Sequence, residues 1–123
     1  MRYFSLLLLS IFLISCGPKG IASFNNKAVQ LPNGCLISAE VYQAHLILDD
    51  STVWNRILIV YYNDHGTPYS HAWCVFMPKL GGELWAYDYK GSTHLKGDSL
   101  TSPEDIASQL EPFPTWGARF IDN

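Results

Sequence analysis

Positive charge is scarce in this chain, which has eight Lys and Arg residues against eleven Asp and Glu residues among 123. The formal net charge is −3, and neither sign forms a block along the sequence. Proteins that bind nucleic acid usually carry a basic patch or stripe, because phosphate contacts supply much of the affinity. We therefore expect no nucleic-acid partner.

The sequence also lacks the run of about 20 apolar residues that a membrane-spanning helix requires. Its main apolar run, Leu6 to Ile14, is interrupted by Ser10, with Arg2 before it and Ser15 after it. A positive start, a short apolar stretch and a small residue are typical of a secretory signal. We predict such a signal over residues 1–15.

The end of this segment, Leu13 to Cys16, resembles the bacterial lipobox. The resemblance implies that Cys16 is diacylated through its sulfur and anchors the mature chain to a membrane of the bacterial cell envelope. Gly17 rather than Asp follows the cysteine, as in lipoproteins sent to the outer membrane of bacteria with two membranes. The alternative is a chance cysteine beside a simple cleavage site.

The remainder of the chain suits one small domain rather than two. Residues 16–26 mix Gly, Pro, Lys, Ser and Asn without a clear period, so we predict a tether there and a single domain over residues 27–123. Aromatic residues make up 14% of the chain. They either fill the core of this domain or line a groove that holds an extended ligand.

A helix is predicted from Asn33, which can cap its start, with Gly34 and Cys35 as the first helical residues. Apolar residues recur at helical spacing on two faces, so we expect the helix to be largely buried. One predicted core stripe is Ile37, Val41, Ala44 and Leu48, and a second apolar face is Leu36, Ala39, Tyr42 and Leu46.

The following segments predict strands and a second helix. Residues 57–62 suit a central strand, and residues 71–77 and 83–89 suit a hairpin. A helix is expected from Ser102 to about Leu110, and a last strand over residues 117–121. The sequence therefore predicts an α+β domain in which the cysteine-bearing helix packs on a small antiparallel sheet.

The hairpin brings His71 towards Asp88 if its connection has an even number of residues. With Met77 opposite Leu84, Trp73 opposes Asp88, and His71 becomes the diagonal neighbour of Asp88 at about 7 Å between Cβ atoms. An odd connection or a bulge would put the two side chains on opposite faces. The even register also turns Cys74 away from the pair.

Cys35 lies at the predicted start of a helix, where unpaired N–H groups favour an anion. This position favours the reactive thiolate, and the Cys35 N–H can bind the oxyanion of a tetrahedral intermediate. Gln30, five residues earlier, is a candidate for the second oxyanion donor. Otherwise Gln30 is an ordinary loop residue.

The other histidines have no spacing that indicates a metal site. His45 is about 15 Å along the helix from Cys35, while His65 and His94 fall in predicted loops. Cys35, Cys74 and these histidines do not form a zinc motif. We expect no metal ion and no other cofactor.

The segment from Asn33 to Gly91 resembles the transglutaminase-like branch of the papain-type cysteine enzymes. The resemblance is carried by Gly34-Cys35 at a helix start, His71-Ala72-Trp73 at a strand start, and Trp85 shortly before Asp88. It implies that Cys35 is the nucleophile, His71 the general acid and base, and Asp88 the residue that orients His71. Trp85 precedes Asp88 by three residues where the family more often has four, and Tyr89 replaces a common proline. The Asp-Cys-Ser-Gly motif of NlpC-type cell-wall peptidases is absent around Cys35.

These observations predict an envelope cysteine hydrolase or acyl transferase that acts on peptide, isopeptide or cell-wall amides by double displacement. The alternative is a non-catalytic envelope lipoprotein or a degenerate binding module. In that alternative Cys35 and Cys74 can form a disulfide, which an oxidising compartment permits.

Overall fold

A computed structural model describes residues 19–24, 27–111 and 113–121, with side chains from residue 34 onward. Residues 1–15 and Cys16, the predicted signal and anchor, lie outside these ranges. The elements in chain order are β1 (Lys19–Phe24), β2 (Lys27–Pro32), α1 (Asn33–Leu48), β3 (Thr52–Asp64), β4 (Thr67–Pro78), β5 (Leu84–Asp88), β6 (Gly91–Leu95), α2 (Pro103–Leu110) and β7 (Thr115–Ile121). The arrangement is α+β, as predicted.

The strands form one sheet around a long β3–β4 hairpin. Its order is β1-β2-β4-β3-β7, while β5 pairs with β4 and β6 pairs with β5. The hairpin turns at His65 and Gly66, whose φ angles are 51° and 81°. The β2–β4 pair is parallel, and the other described strand pairs are antiparallel, as predicted for the sheet.

Each face of the sheet is covered by one helix. Because side chains alternate along a strand, Ala72 and Cys74 of β4 lie on the face that α1 covers. Trp73 and Val75 lie on the other face, where Ile106 and Ala107 of α2 pack. The two helices therefore sit in separate layers, with the sheet between them.

The inward face of α1 differs from the prediction. The second apolar face packs inward, with Ala39 fully buried, and the polar Ser38 and Gln43 are buried beside it. The predicted core stripe instead points outward, and Leu48 is 81% exposed. Gln43 can be buried because its side-chain amide donates a hydrogen bond to Asn55 Oδ1 at 3.0 Å.

Three further segments test the sequence interpretation. The α2 prediction is confirmed, since the helix ends at Leu110 and the Ser102 hydroxyl caps it by accepting from the Asp105 N–H. β1 lies within the segment predicted as a tether, and it pairs along its whole length with β2. β6 occupies a stretch predicted as a loop. None of the helices in the described ranges combines the length and apolarity needed to traverse a bilayer.

Candidate active site

The β4–β5 hairpin has the register that the sequence suggested. Cys74 pairs with Tyr87 and Phe76 pairs with Trp85, so the even alignment is confirmed. His71 and Asp88 consequently share a face, and His71 Nε2 lies 3.0 Å from Asp88 Oδ2. The structure brings these two predicted site residues into hydrogen-bonding contact.

Both oxygens of the Asp88 carboxylate are engaged. Oδ2 faces the imidazole, and Oδ1 accepts a hydrogen bond from the Lys90 N–H at 2.9 Å. The side chains of His71 and Asp88 are 14% and 7% exposed, so little water competes for these contacts. When Nε2 carries the proton donated to Asp88, Nδ1 is the ring nitrogen that can accept a proton.

Aromatic rings and an acidic side chain fix the orientation of His71. The Trp73 ring packs against the imidazole edge to face, with ring centroids 5.1 Å apart. The Tyr89 ring also packs edge to face against the imidazole, with ring centroids 6.3 Å apart. The Trp73 Nε1–H donates to Glu111 Oε1 at 3.2 Å. Glu111 immediately follows α2, so this bond links the α2 layer to the strand that carries His71.

His71 and Asp88 line a cavity of about 410 Å³ on the α2 side of the sheet. Its lining includes Tyr62, which stacks between Tyr69 and Phe113. Burial raises the pKa of Tyr62 to about 12, and negative charge on Glu111, Asp64 and Cys35 adds to the effect.

Cys35 is the third residue of α1 and only 3% exposed. α1 packs on the Ala72 face of β4, whereas the His71 side chain points to the opposite face. The small Ala72 lets this helix approach the strand closely.

Near His71, the neighbour of β4 on one side changes from β2 to β5, and the gap discussed for this site is the junction between these two strands. On this side of β4, the described pairing consists of β2 at Tyr69 and β5 from Cys74 to Phe76. β2 runs parallel to β4, so continuing its register from Gln30 and Tyr69 by two residues places Pro32 beside His71. α1 follows Pro32 directly. The helix that carries Cys35 therefore begins at the gap beside His71.

Cys74 lies in a different environment from Cys35. It is fully buried in the cluster under α1, and this burial raises the pKa of its thiol to about 12. Within the described residues, no disulfide joins Cys74 to Cys35. Cys74 points into the cluster that contains Ala39, which lies one helical turn beyond Cys35 on α1.

The remaining predicted residues are placed as follows. The Gln30 backbone lies in β2 opposite Tyr69, and its side chain is outside the described part. His45 is exposed on α1. His65 is an exposed turn residue, and its Nδ1 lies 2.6 Å from Asp64 Oδ1. His94 lies on β6, where it contacts Glu83 at 3.2 Å. The described ranges hold no group of three or more potential ligands that could bind a metal ion.

Sequence reasoning missed Glu111, Tyr62 and Phe113 as parts of the site. Glu111 accepts a hydrogen bond from Trp73, which lies 38 residues earlier in the chain, and no local sequence pattern predicts such a contact. The one available signal was an acidic residue at the end of an otherwise ordinary short helix.

Comparisons of this chain with models of protein families, with curated proteins and with solved structures give no match. The geometry of the site is therefore the basis for its functional interpretation.

Proposed function

We propose that this chain is an envelope-anchored cysteine hydrolase or acyl transferase that acts on peptide or isopeptide amides. Cys35 is the nucleophile, His71 the general acid and base, and Asp88 the residue that orients His71. The observation that carries the proposal is the 3.0 Å contact between His71 Nε2 and Asp88 Oδ2 at the wall of a cavity. The same proposal assigns the domain to the papain-like, transglutaminase-like class of α+β folds.

The reaction begins at the start of α1. The positive end of the helix favours the Cys35 thiolate, which attacks the carbonyl carbon of the substrate amide. The Cys35 N–H, and in this proposal the Gln30 side chain, stabilise the oxyanion that forms. Approach through the gap between β2 and β5 brings the sulfur to the side of the sheet on which His71 lies.

His71 then transfers protons. Its Nδ1, which has taken the proton of the Cys35 thiol, gives that proton to the leaving amine as the carbon–nitrogen bond breaks, and this leaves a thioester on Cys35. Water, or a second amine, next loses a proton to His71 and attacks the thioester, and the sulfur departs as the thiolate. Asp88 holds the imidazole through Nε2 and balances the positive charge of the imidazolium.

The substrate class follows from the chemistry and the predicted location. A thioester pathway acts on acyl groups, and an anchor at Cys16 would place the domain among envelope proteins and cell-wall peptides. Tyr62, Trp73, Tyr89 and Phe113 give the cavity apolar surfaces suited to peptide side chains. Water as acceptor makes the protein an amidase, and an amine makes it a cross-linking enzyme.

The test is capture of the acyl-enzyme. The full chain is treated with p-nitrophenyl acetate at neutral pH, and the acetylated residue is located by peptide mass spectrometry. We expect acetyl transfer to Cys35 followed by its loss to water, with Cys35→Ser abolishing both steps. The matched control Cys74→Ser should leave them unchanged.

Absence of acetylation at Cys35 in a folded chain would contradict the catalytic proposal. The cavity and the His71–Asp88 contact would then belong to a non-catalytic binding module. Asp88 also has a purely structural task, since it accepts the Lys90 N–H in the β5–β6 turn.

A further inference from the structure

The outward face of α1 is apolar where a surface helix is normally polar. Its outer stripe, defined as Ile37, Val41, Ala44 and Leu48, lies on the side opposite to buried Ala39. Leu48 is 81% exposed and Ile37 37%, and the neighbouring Ile47 is 58% exposed. α1 therefore presents aliphatic side chains on its outer side, and the most exposed of them lie at its C-terminal end.

The inner face of the same helix carries polar groups. Gln43 is 6% exposed and Ser38 is 1% exposed, and the Ser38 hydroxyl has no hydrogen-bond partner among the described residues. A helix that buries polar side chains while exposing aliphatic ones is adapted to a second apolar contact on its outer side.

The path of the chain indicates what that contact is. Lys19 at the start of β1 pairs with Pro32, the residue immediately before α1. Cys16 precedes Lys19 by three residues, a span of at most about 11 Å. The proposed anchor is thus tied close to the N-terminal end of α1, and the outer stripe begins within two turns of that end.

We infer that the outer stripe of α1 lies on the surface of the lipid bilayer that holds the anchor, with α1 parallel to the membrane plane. The inference rests on the anchoring part of the proposed function and not on its chemistry. The inner face of α1 packs on the sheet, so only its outer aliphatic face is free to bury apolar area in the interfacial region of a bilayer.

The charges beside the stripe identify the kind of lipid. Glu40 and Asp49 are exposed and acidic, and Asp50 is paired with Lys79 at 2.8 Å. Acidic groups are repelled by anionic headgroups, so the partner surface is one of zwitterionic lipid. A second copy of the chain is disfavoured, because one helix about 24 Å long offers little of the roughly 800 Å² per partner of a stable interface.

The orientation has a consequence for the cavity. α1 and the cavity lie on opposite faces of the sheet. With the outer stripe on the bilayer, the cavity opens away from the membrane, towards proteins and peptides in the surrounding compartment.

The test uses the full chain reconstituted in phosphatidylcholine vesicles whose acyl chains carry bromine, a contact quencher of tryptophan. Leu48→Trp is compared with the matched control Leu100→Trp, since these leucines are 81% and 91% exposed and Leu100 lies just before α2. Emission of the four native tryptophans is subtracted by using the unmodified chain. We expect loss of most of the added emission at position 48 and no loss at position 100.

Ile47→Trp provides a second position on the same helix if the first variant folds poorly, and its added emission should also be lost. Equal quenching at positions 48 and 100 in vesicles that retain the chain overturns the inference and leaves the anchor intact. The membrane inference is also overturned if emission at position 48 is not quenched and copies of the chain cross-link to each other in a concentration-dependent way. That result would assign the outer stripe to contact with a second copy. If the chain does not float with vesicles, both the proposed anchor and this inference are wrong. The catalytic proposal is tested independently by acetylation at Cys35.

Discussion

The start of α1 and the middle of β4 each bury a cysteine, but they provide opposite chemical environments. Cys74 lies within a paired strand and is surrounded by apolar side chains of the sheet and α1, so burial works against its thiolate. Cys35 lies where a helix begins, directly after the end of β2. We therefore expect two thiols of similar exposure to differ in reactivity, because the positive end of a helix acts on Cys35 and not on Cys74.

The contrast should be largest in thiol alkylation. The pKa of Cys74 is raised from 9.0 to about 12, which lowers its thiolate population at neutral pH about 1000-fold. We therefore expect iodoacetamide to modify Cys35 in the folded chain while Cys74 reacts only after unfolding. Peptide mass spectrometry of timed samples at pH 7 gives both rates, and similar slow rates would contradict an activated Cys35.

Burial of the Cys74 thiol should also make the unfolding free energy of the protein fall at alkaline pH. A thiol whose pKa is raised on folding stabilises the protein below its unfolded pKa, and this contribution is lost as pH rises towards the folded pKa. For Cys74 the loss falls between pH 9 and pH 12 and amounts to about 4 kcal/mol in total. Cys74→Ala should flatten the fall in unfolding free energy over this range in urea titrations. An unchanged slope would show that Cys74 is not the group that titrates.

The His71–Asp88 contact should contribute to folding as well as to chemistry. Asp88→Ala removes the acceptor of both the His71 imidazole and the Lys90 N–H, so two partly buried hydrogen bonds are lost. We expect a loss of about 1–3 kcal/mol in unfolding free energy. Asp88→Asn keeps one acceptor oxygen and should lose less. An unfolding free energy of Asp88→Ala equal to that of the unmodified chain in urea unfolding would mean that the carboxylate contacts are unimportant.

The smallest expected effect concerns the bond between α2 and the site. Glu111→Ala leaves the Trp73 indole N–H without its acceptor and should cost about 1 kcal/mol. Glu111→Gln retains an acceptor oxygen and should restore most of the stability and the native Trp73 emission. If the glutamine variant behaves like the alanine variant, negative charge rather than hydrogen bonding is what matters at this position.

The residues near the site differ in how far their positions could be predicted from sequence. The His71–Asp88 pairing follows from strand alternation and the length of one hairpin connection, both of which are local properties, and its register is confirmed. The inward face of α1 could not be predicted, because the helix is apolar on two sides and periodicity does not choose between them. Ala39 and Ala72 show what decides the packing, since these small side chains allow the helix and strand to approach.

Contacts between distant segments were beyond sequence reasoning. The Trp73–Glu111 bond joins residues far apart in the chain, and β1 acquires its structure from pairing with β2 rather than from a strong strand pattern of its own. The gap beside His71 likewise results from where β2 and β5 each stop pairing with β4. Such features depend on the assembled sheet and not on any one of its strands.

The measurement that tests the central claim most directly is alkylation of both thiols in the folded His71→Ala variant at pH 7. If His71 activates Cys35, the Cys35 rate should fall by about 100-fold or more while the Cys74 rate stays the same. If His71 serves only to pair with Asp88 in the fold, the Cys35 rate should remain that of the unmodified chain, and that result would contradict the proposed catalytic unit.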